Sequence, residues 1–170
     1  PIVPRIPGAD LPGVYALRSM ADMDAIKGPV DAGRVRSAVV VGGGFIGLEM
    51  AENLTERGVD VTLVEMLPQV MAPLDFEMAA MLHRELREHG VRLGLGDGLQ
   101  EIRRDGARLV ATLASGASVM ADMVVLAIGA VLAGYLNFPV HALGHFLDQS
   151  PSYQQTEALA HSHGIRIQVG

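Results

Sequence analysis

The residues with the clearest chemical signature are Gly42, Gly43, Gly44, Phe45, Ile46 and Gly47, which fit G-x-G-x-x-G. The pattern is informative only where a strand feeds it and a helix leaves it. The run before it, Ala38-Val39-Val40-Val41, is apolar and β-branched and reads as a buried strand. After it, Ile46, Met50 and Leu54 recur among Glu49, Glu52, Asn53 and Glu56, the spacing of an amphipathic helix that stops at Gly58. Each glycine has a separate task. Gly42 permits a tight exit from the strand, Gly44 lets a pyrophosphate approach the backbone, and Gly47 lets the helix pack close to the strand. The first-turn N–H groups lack intrahelical partners and, with the helix dipole, favour an anion. The chemistry this implies is recognition of a dinucleotide. The plain reading of the same residues is a tight turn with no ligand.

A second signal supports the first. Glu65 closes the next apolar run, Val61-Thr62-Leu63-Val64, 21 positions after Gly44. A carboxylate there accepts hydrogen bonds from ribose hydroxyls and repels an added phosphate. Met66, Leu67 and Pro68 follow it and offer no cation. The expected cofactor is therefore NAD(H) rather than NADP(H). The alternative is a solvated acid at a strand end.

The elements that must position these residues follow from periodicity and turn chemistry. Residues 1–13 are rich in proline and read as an extended connector, and Leu17 to Ala25 permits a short helix before Gly28-Pro29. Asp75 is the expected N-cap of a helix over Phe76–His89, with Ala79, Leu82 and Leu86 on one face and Gly90 at its end. Val91–Leu95 reads as a third strand. The pattern then changes to strand, turn, strand, turn, strand over 99–128, with Asp105-Gly106 and Ser115-Gly116 as the turns. The fold class is α/β: a Rossmann-like parallel sheet (βαβαβ) with an inserted three-stranded antiparallel meander, whose last strand returns to the sheet. The expected organisation is linker and lead-in over 1–36, a dinucleotide-binding domain over 37–130, and a C-terminal extension over 131–170 without an assigned role. Within that extension, a helix from Ser150-Pro151 to about His163 and a strand over Ile165–Val169 are expected.

Together these residues resemble the NAD(P)H-binding domain of FAD-dependent pyridine nucleotide-disulfide oxidoreductases. The similarity is closest to the branch of coenzyme A disulfide reductases, NADH oxidases and NADH peroxidases. It is carried by Pro4–Leu11 with Gly13-Val14, by Val40–Glu52, by Leu74–Ala79 and by Asp122–Gly129. The resemblance implies that Gly42, Gly43, Gly44, Phe45, Ile46 and Gly47 line the pyrophosphate. It implies that Glu65, with Met66 beside it, holds the ribose, and that Ile128 and Gly129 pass near the nicotinamide. Glu49 stands where the family places an acid near the nicotinamide; it is the one catalytic candidate, and its plain reading is an exposed helix acid. The implied reaction is hydride transfer from NADH to FAD. The FAD fingerprint, the redox cysteine and the second FAD motif of the family are absent, so FAD belongs to the parent protein only, and its flavin domain is the expected partner. The chain by itself is expected not to turn over.

Composition narrows the field. The 170 residues contain no cysteine, which excludes a thiolate nucleophile and a Cys-based metal site. A net charge of −6 and 4% aromatic residues argue against a nucleic-acid surface. Residues 123–140 carry no charge, but Gly129, Gly134, Asn137 and Pro139 interrupt them, so Met123–Ile128 reads as a buried strand rather than a membrane span. The same stretch is also a candidate surface for another domain or a homodimer partner. The N-terminus lacks a basic n-region and an apolar h-region, which implies no signal peptide, a cytoplasmic setting and a chain that begins inside a longer protein. His141 and His145, with His161 and His163, complete no ligand motif, so no metal is expected. Arg103, Arg104 and Arg108 read as the solvated face of the hairpin. Two other functions use similar glycines: a non-enzymatic NAD(H)-sensing Rossmann module, and a methyltransferase that binds S-adenosylmethionine. The meander and the tight glycine turn disfavour the latter.

Overall fold

A computed structural model describes residues 6–17 and 20–127. The expected features at Ile128, Gly129, the four C-terminal histidines and the extension lie outside the described residues.

Strand β1 (Val14–Ala16) leads to helix α1 (Met20–Asp31), followed by β2 (Ser37–Val41), α2 (Phe45–Glu56), β3 (Asp60–Glu65), α3 (Phe76–Glu88) and β4 (Arg92–Leu95). Strands β5 (Leu99–Asp105), β6 (Arg108–Leu113) and β7 (Ser118–Ala121) follow, and β8 (Met123–Leu126) ends the described fold. The main sheet has five strands in the order β1-β8-β2-β3-β4, all parallel. The meander is a separate antiparallel sheet, β5-β6-β7. This is the expected fold class.

The strand order explains the layering. The crossovers through α1, α2 and α3 all move across the sheet in one direction. Right-handed parallel crossovers therefore put the three helices on one face. The connection from β4 to β8 runs the other way, so the meander covers the opposite face. Its Ile102, Leu109, Ala111, Leu113 and Ala121 pack on Val39, Val41, Val64, Val124 and Leu126 of the sheet. Side chains alternate along a strand, so Ala38 and Val40 project from the helical face, where α2 packs on β2 and β3 with Leu48, Met50, Ala51 and Leu54 buried. Coverage on both faces explains why these strands read as continuous apolar runs. The sequence over Val59–Glu65 reads as an alternating strand, but β3 is buried from Val61 to Val64 without alternation.

Three differences from expectation have physical causes. Part of the segment expected as linker and lead-in is built into the sheet: Val14–Ala16 pairs with Val124–Leu126. Three residues carry no periodic signal, and their partner is far away in sequence. Helix α1 runs through Gly28-Pro29 to Asp31. Ile26 and Val30 are both buried, one turn apart, and this apolar stripe extends the helix past residues that disfavour it. Gly33 then ends it at φ 66°, with Gly33 N–H donating to Val30 O and Arg34 N–H to Pro29 O. Finally, the run over 118–128 divides at Asp122, between meander and sheet.

Asp122 is the staple at that division. Its Oδ2 accepts hydrogen bonds from Arg36 N–H, Ser37 N–H and Ser37 Oγ–H, each at 3.0 Å. Arg108 Nε lies 3.4 Å from its Oδ1, and the same guanidinium donates to Ser37 Oγ at 2.9 Å. Burial alone opposes ionisation of this carboxyl. The hydrogen bonds and the Arg108 charge outweigh burial and hold it below the usual carboxylate range. Arg108 is thus a structural partner rather than part of a solvated face.

Candidate functional site

The glycine turn sits at the carboxyl end of β2, between the ends of β3 and β8, where ligands bind in open α/β sheets. Gly42 takes φ 114°, a conformation L side chains rarely adopt. Its N–H donates to Val64 O at 2.8 Å, and an added Cβ would lie 3.2 Å from Ala127 O. Gly47 is tighter still. A Cβ there would overlap the Gly42 carbonyl oxygen and lie 2.9 Å from its carbon. Only glycine at 47 lets the first turn of α2 close on the strand end. Gly44 is the N-cap of α2, and no side chain caps the helix. The first-turn amides face the turn without a built-in acceptor from that position, while Leu48 N–H is taken by Gly44 O at 3.0 Å.

Glu65 ends β3 against this turn. Its Oε2 accepts from Gly43 N–H at 2.5 Å and its Oε1 from Leu67 N–H at 2.8 Å. A Cβ on Gly43 would lie 3.1 Å from the Glu65 side chain. The structure therefore brings Gly42, Gly43, Gly44, Gly47 and Glu65 together as one unit. Phe45 and Ile46, half-buried, form the first turn of α2, and Met66 is 71% exposed beside Glu65. Glu49 lies one turn further along α2, half-buried, and burial pushes its carboxyl above the usual range. Asp75 takes the N-cap position of α3, but its side chain makes no capping hydrogen bond.

Sequence reasoning places Met66, Leu67 and Pro68 beside Glu65 but assigns no role to the rest of that segment, residues 69–74. Met71 N–H donates to Gly43 O at 2.8 Å, and Leu74 N–H donates to Met71 O at 2.8 Å. Gln69 Nε2 donates to Leu74 O at 2.8 Å. Met71 takes φ 48°, the left-handed region, where a non-glycine residue is held by its surroundings. Val70 is fully buried, and its N–H donates to Nε2 of His83 on α3 at 3.1 Å. His83 is 6% exposed. Desolvation by burial, and secondarily the Arg87 charge, lower its pKa below the usual 6.5. The available signal was position: His83 stands four residues after Ala79 and three before Leu86, on the apolar face of α3.

The sequence profile of the pyridine nucleotide-disulphide oxidoreductases matches residues 1–150. The chain belongs to that family. Its sequence is 38% identical over 130 residues to an NADH oxidase of Methanocaldococcus jannaschii, covering 76% of this chain and 29% of that protein. Among solved structures it resembles reduced Bacillus anthracis CoADR-RHD, with 46% identity and a TM-score of 0.70, covering 84% of this chain and 26% of that one. It also resembles the water-forming NADH oxidase of Lactobacillus brevis bound to NADH, with 31% identity and a TM-score of 0.69, covering 82% and 32%. The chain thus spans about a third or less of each of these oxidoreductases. Among the described residues, no helix of this family member is long and apolar enough to cross a membrane.

Proposed function

We propose that this chain is the NADH-binding part of a flavin-dependent oxidoreductase. The observation that carries the reading is the closed unit of the Gly42–Gly47 turn and Glu65. A Cβ at Gly47 would fill the turn, and the acid sits within hydrogen-bond reach of the turn's own amide. These residues fit a dinucleotide. The α2 first turn, from Gly44 to Gly47, holds the pyrophosphate with backbone N–H groups. A carboxylate has about four acceptor sites. Glu65 uses two of them on Gly43 and Leu67, which leaves others for the ribose hydroxyls. The same charge repels the additional phosphate of NADP(H), and residues 66–74 include neither Lys nor Arg to offset it. NAD(H) is therefore the preferred cofactor.

When bound, the cofactor supplies a hydride to FAD, which another part of the parent protein holds. In this reading Glu49 borders the nicotinamide. The half-buried Glu49 carboxyl, its proton affinity raised by burial, holds its charge less firmly than a surface acid and is the candidate polar group there. The chain's own contribution is binding and orientation.

Calorimetric titration of the 170-residue chain with NADH and NADPH tests the reading. NADH is expected to bind and NADPH to bind more weakly. Absence of binding, or preference for NADPH, would refute it. A second test joins the chain to the flavin domain of its parent: the flavin should bleach on addition of NADH, and the Glu65→Ala variant should require more NADH for the same rate.

A further inference from the structure

We propose that His83, remote from the glycine turn in sequence, is a positioning residue for the adenosine half of the cofactor. It holds the Val70 amide and thereby locks residues 66–74 onto the glycine turn. The inference rests on the NADH reading above.

Val70 is fully buried and needs an acceptor for its N–H, since no water can reach it. The His83 Nε2 at 3.1 Å is that acceptor, so this nitrogen carries no proton. The next amide, Met71 N–H, reaches the Gly43 carbonyl. The N–H of the same residue, Gly43, reaches Glu65, whose second oxygen holds Leu67 N–H at the start of the segment. The segment is therefore tied at Leu67 to the acid and at Met71 to the turn that would bind the adenosine ribose and pyrophosphate. Met71, at φ 48°, stays in its left-handed conformation only while these ties hold. Residues 66–74 contain no ionisable side chain. Arg87 is the charge acting on the imidazole from its own helix, and Arg92 on β4 is occupied with Thr62 Oγ1 at 3.1 Å. Among the described residues, the His83 side chain is the hydrogen-bond link from α3 to the buried amide of this segment.

The test compares His83→Leu, which removes the acceptor at similar bulk, with His83→Gln, whose amide oxygen can replace Nε2. Both are studied in the 170-residue chain well below its melting temperature, by NADH titration and by amide exchange. Loss of one buried hydrogen bond predicts NADH binding weakened about 5- to 10-fold in His83→Leu. Val70 and Met71 amides should exchange faster there, with β2 and β3 amides unchanged, and His83→Gln should restore both. Unchanged affinity in a folded His83→Leu chain would overturn the inference. If His83→Leu does not fold, the wild-type chain decides: NADH must slow exchange at Val70 and Met71, and no change there overturns the inference. Failure of the wild-type chain to bind NADH at all refutes the NADH reading instead. In that case faster Val70 exchange in His83→Leu still separates the tie itself from its use.

Discussion

Replacing Gly47 with alanine drives a methyl group into the backbone of the turn that precedes it. The new Cβ would overlap the Gly42 oxygen and stand 2.9 Å from its carbon and 3.7 Å from Ala127 Cβ. Carbon atoms rest at about 3.5–4.0 Å, so the helix must retreat by about 1 Å on the carbon contact alone, and further to clear the oxygen. The obstructing atoms are backbone, pinned by Gly42 N–H to Val64 O at 2.8 Å, and cannot rotate away. Retreat loosens Leu48, Met50, Ala51 and Leu54 against the sheet. Overpacking costs about 1–3 kcal/mol, and an obstruction by fixed backbone belongs at the top of that range. About 3 kcal/mol lowers Tm by roughly 6–12 °C in a domain of this size. The same movement displaces the first-turn amides. Loss of two hydrogen bonds to phosphate, at about 1.5 kcal/mol each, weakens NADH about 100-fold. Thermal melting and calorimetry on Gly47→Ala measure both effects. Gly28→Ala is the control: its Cβ meets nothing within 4 Å in helix α1, so it should gain about 0.5–1 kcal/mol and leave NADH binding unchanged. A Gly47→Ala chain that melts and binds like wild type would refute the reasoning.

Glu65→Ala should weaken NADH about 10- to 100-fold through loss of charge-assisted hydrogen bonds, and should lower the ratio of NADH to NADPH affinity; parallel titrations read both. Asp122→Ala removes the joint between meander and sheet and leaves Arg36 and Ser37 amides without their acceptor, at about 2–3 kcal/mol in urea unfolding. Because the folded Asp122 carboxyl ionises below its ordinary value, its stabilisation is present above about pH 3.8 and is lost as pH falls through the lower folded value, so the acid limb of the stability curve should flatten in Asp122→Ala. His83 contributes in a different window. The unfolded chain takes up the proton near 6.5 and the folded chain only at lower pH, so stability falls as pH drops below about 6.5 towards the folded value. That slope should vanish in His83→Gln, and a slope identical to wild type would contradict the assignment.

The sequence by itself determined the glycine turn, its flanking strand and helix, and Glu65 as the acid beside it. These features are local: a β-branched run, a 3.6-residue periodicity and glycines at fixed offsets act over a few residues, and their consequences agree with the parallel sheet observed. The meander was equally legible, because Asp105-Gly106 and Ser115-Gly116 fix their turns locally. Tertiary structure alone decided what depends on distant partners. Val14–Ala16 becomes a strand because β8 offers it an edge. α1 crosses Gly28-Pro29 because Ile26 and Val30 find a place to be buried. Asp122 is one acid among many until the chain returns it to Ser37. The Met66–Leu74 segment reads as an irregular loop, and only folding sets its amides against Gly43 and His83. Local propensity selects helices, strands and turns, whereas a buried polar group acquires its role from the acceptor or donor that the rest of the chain carries to it.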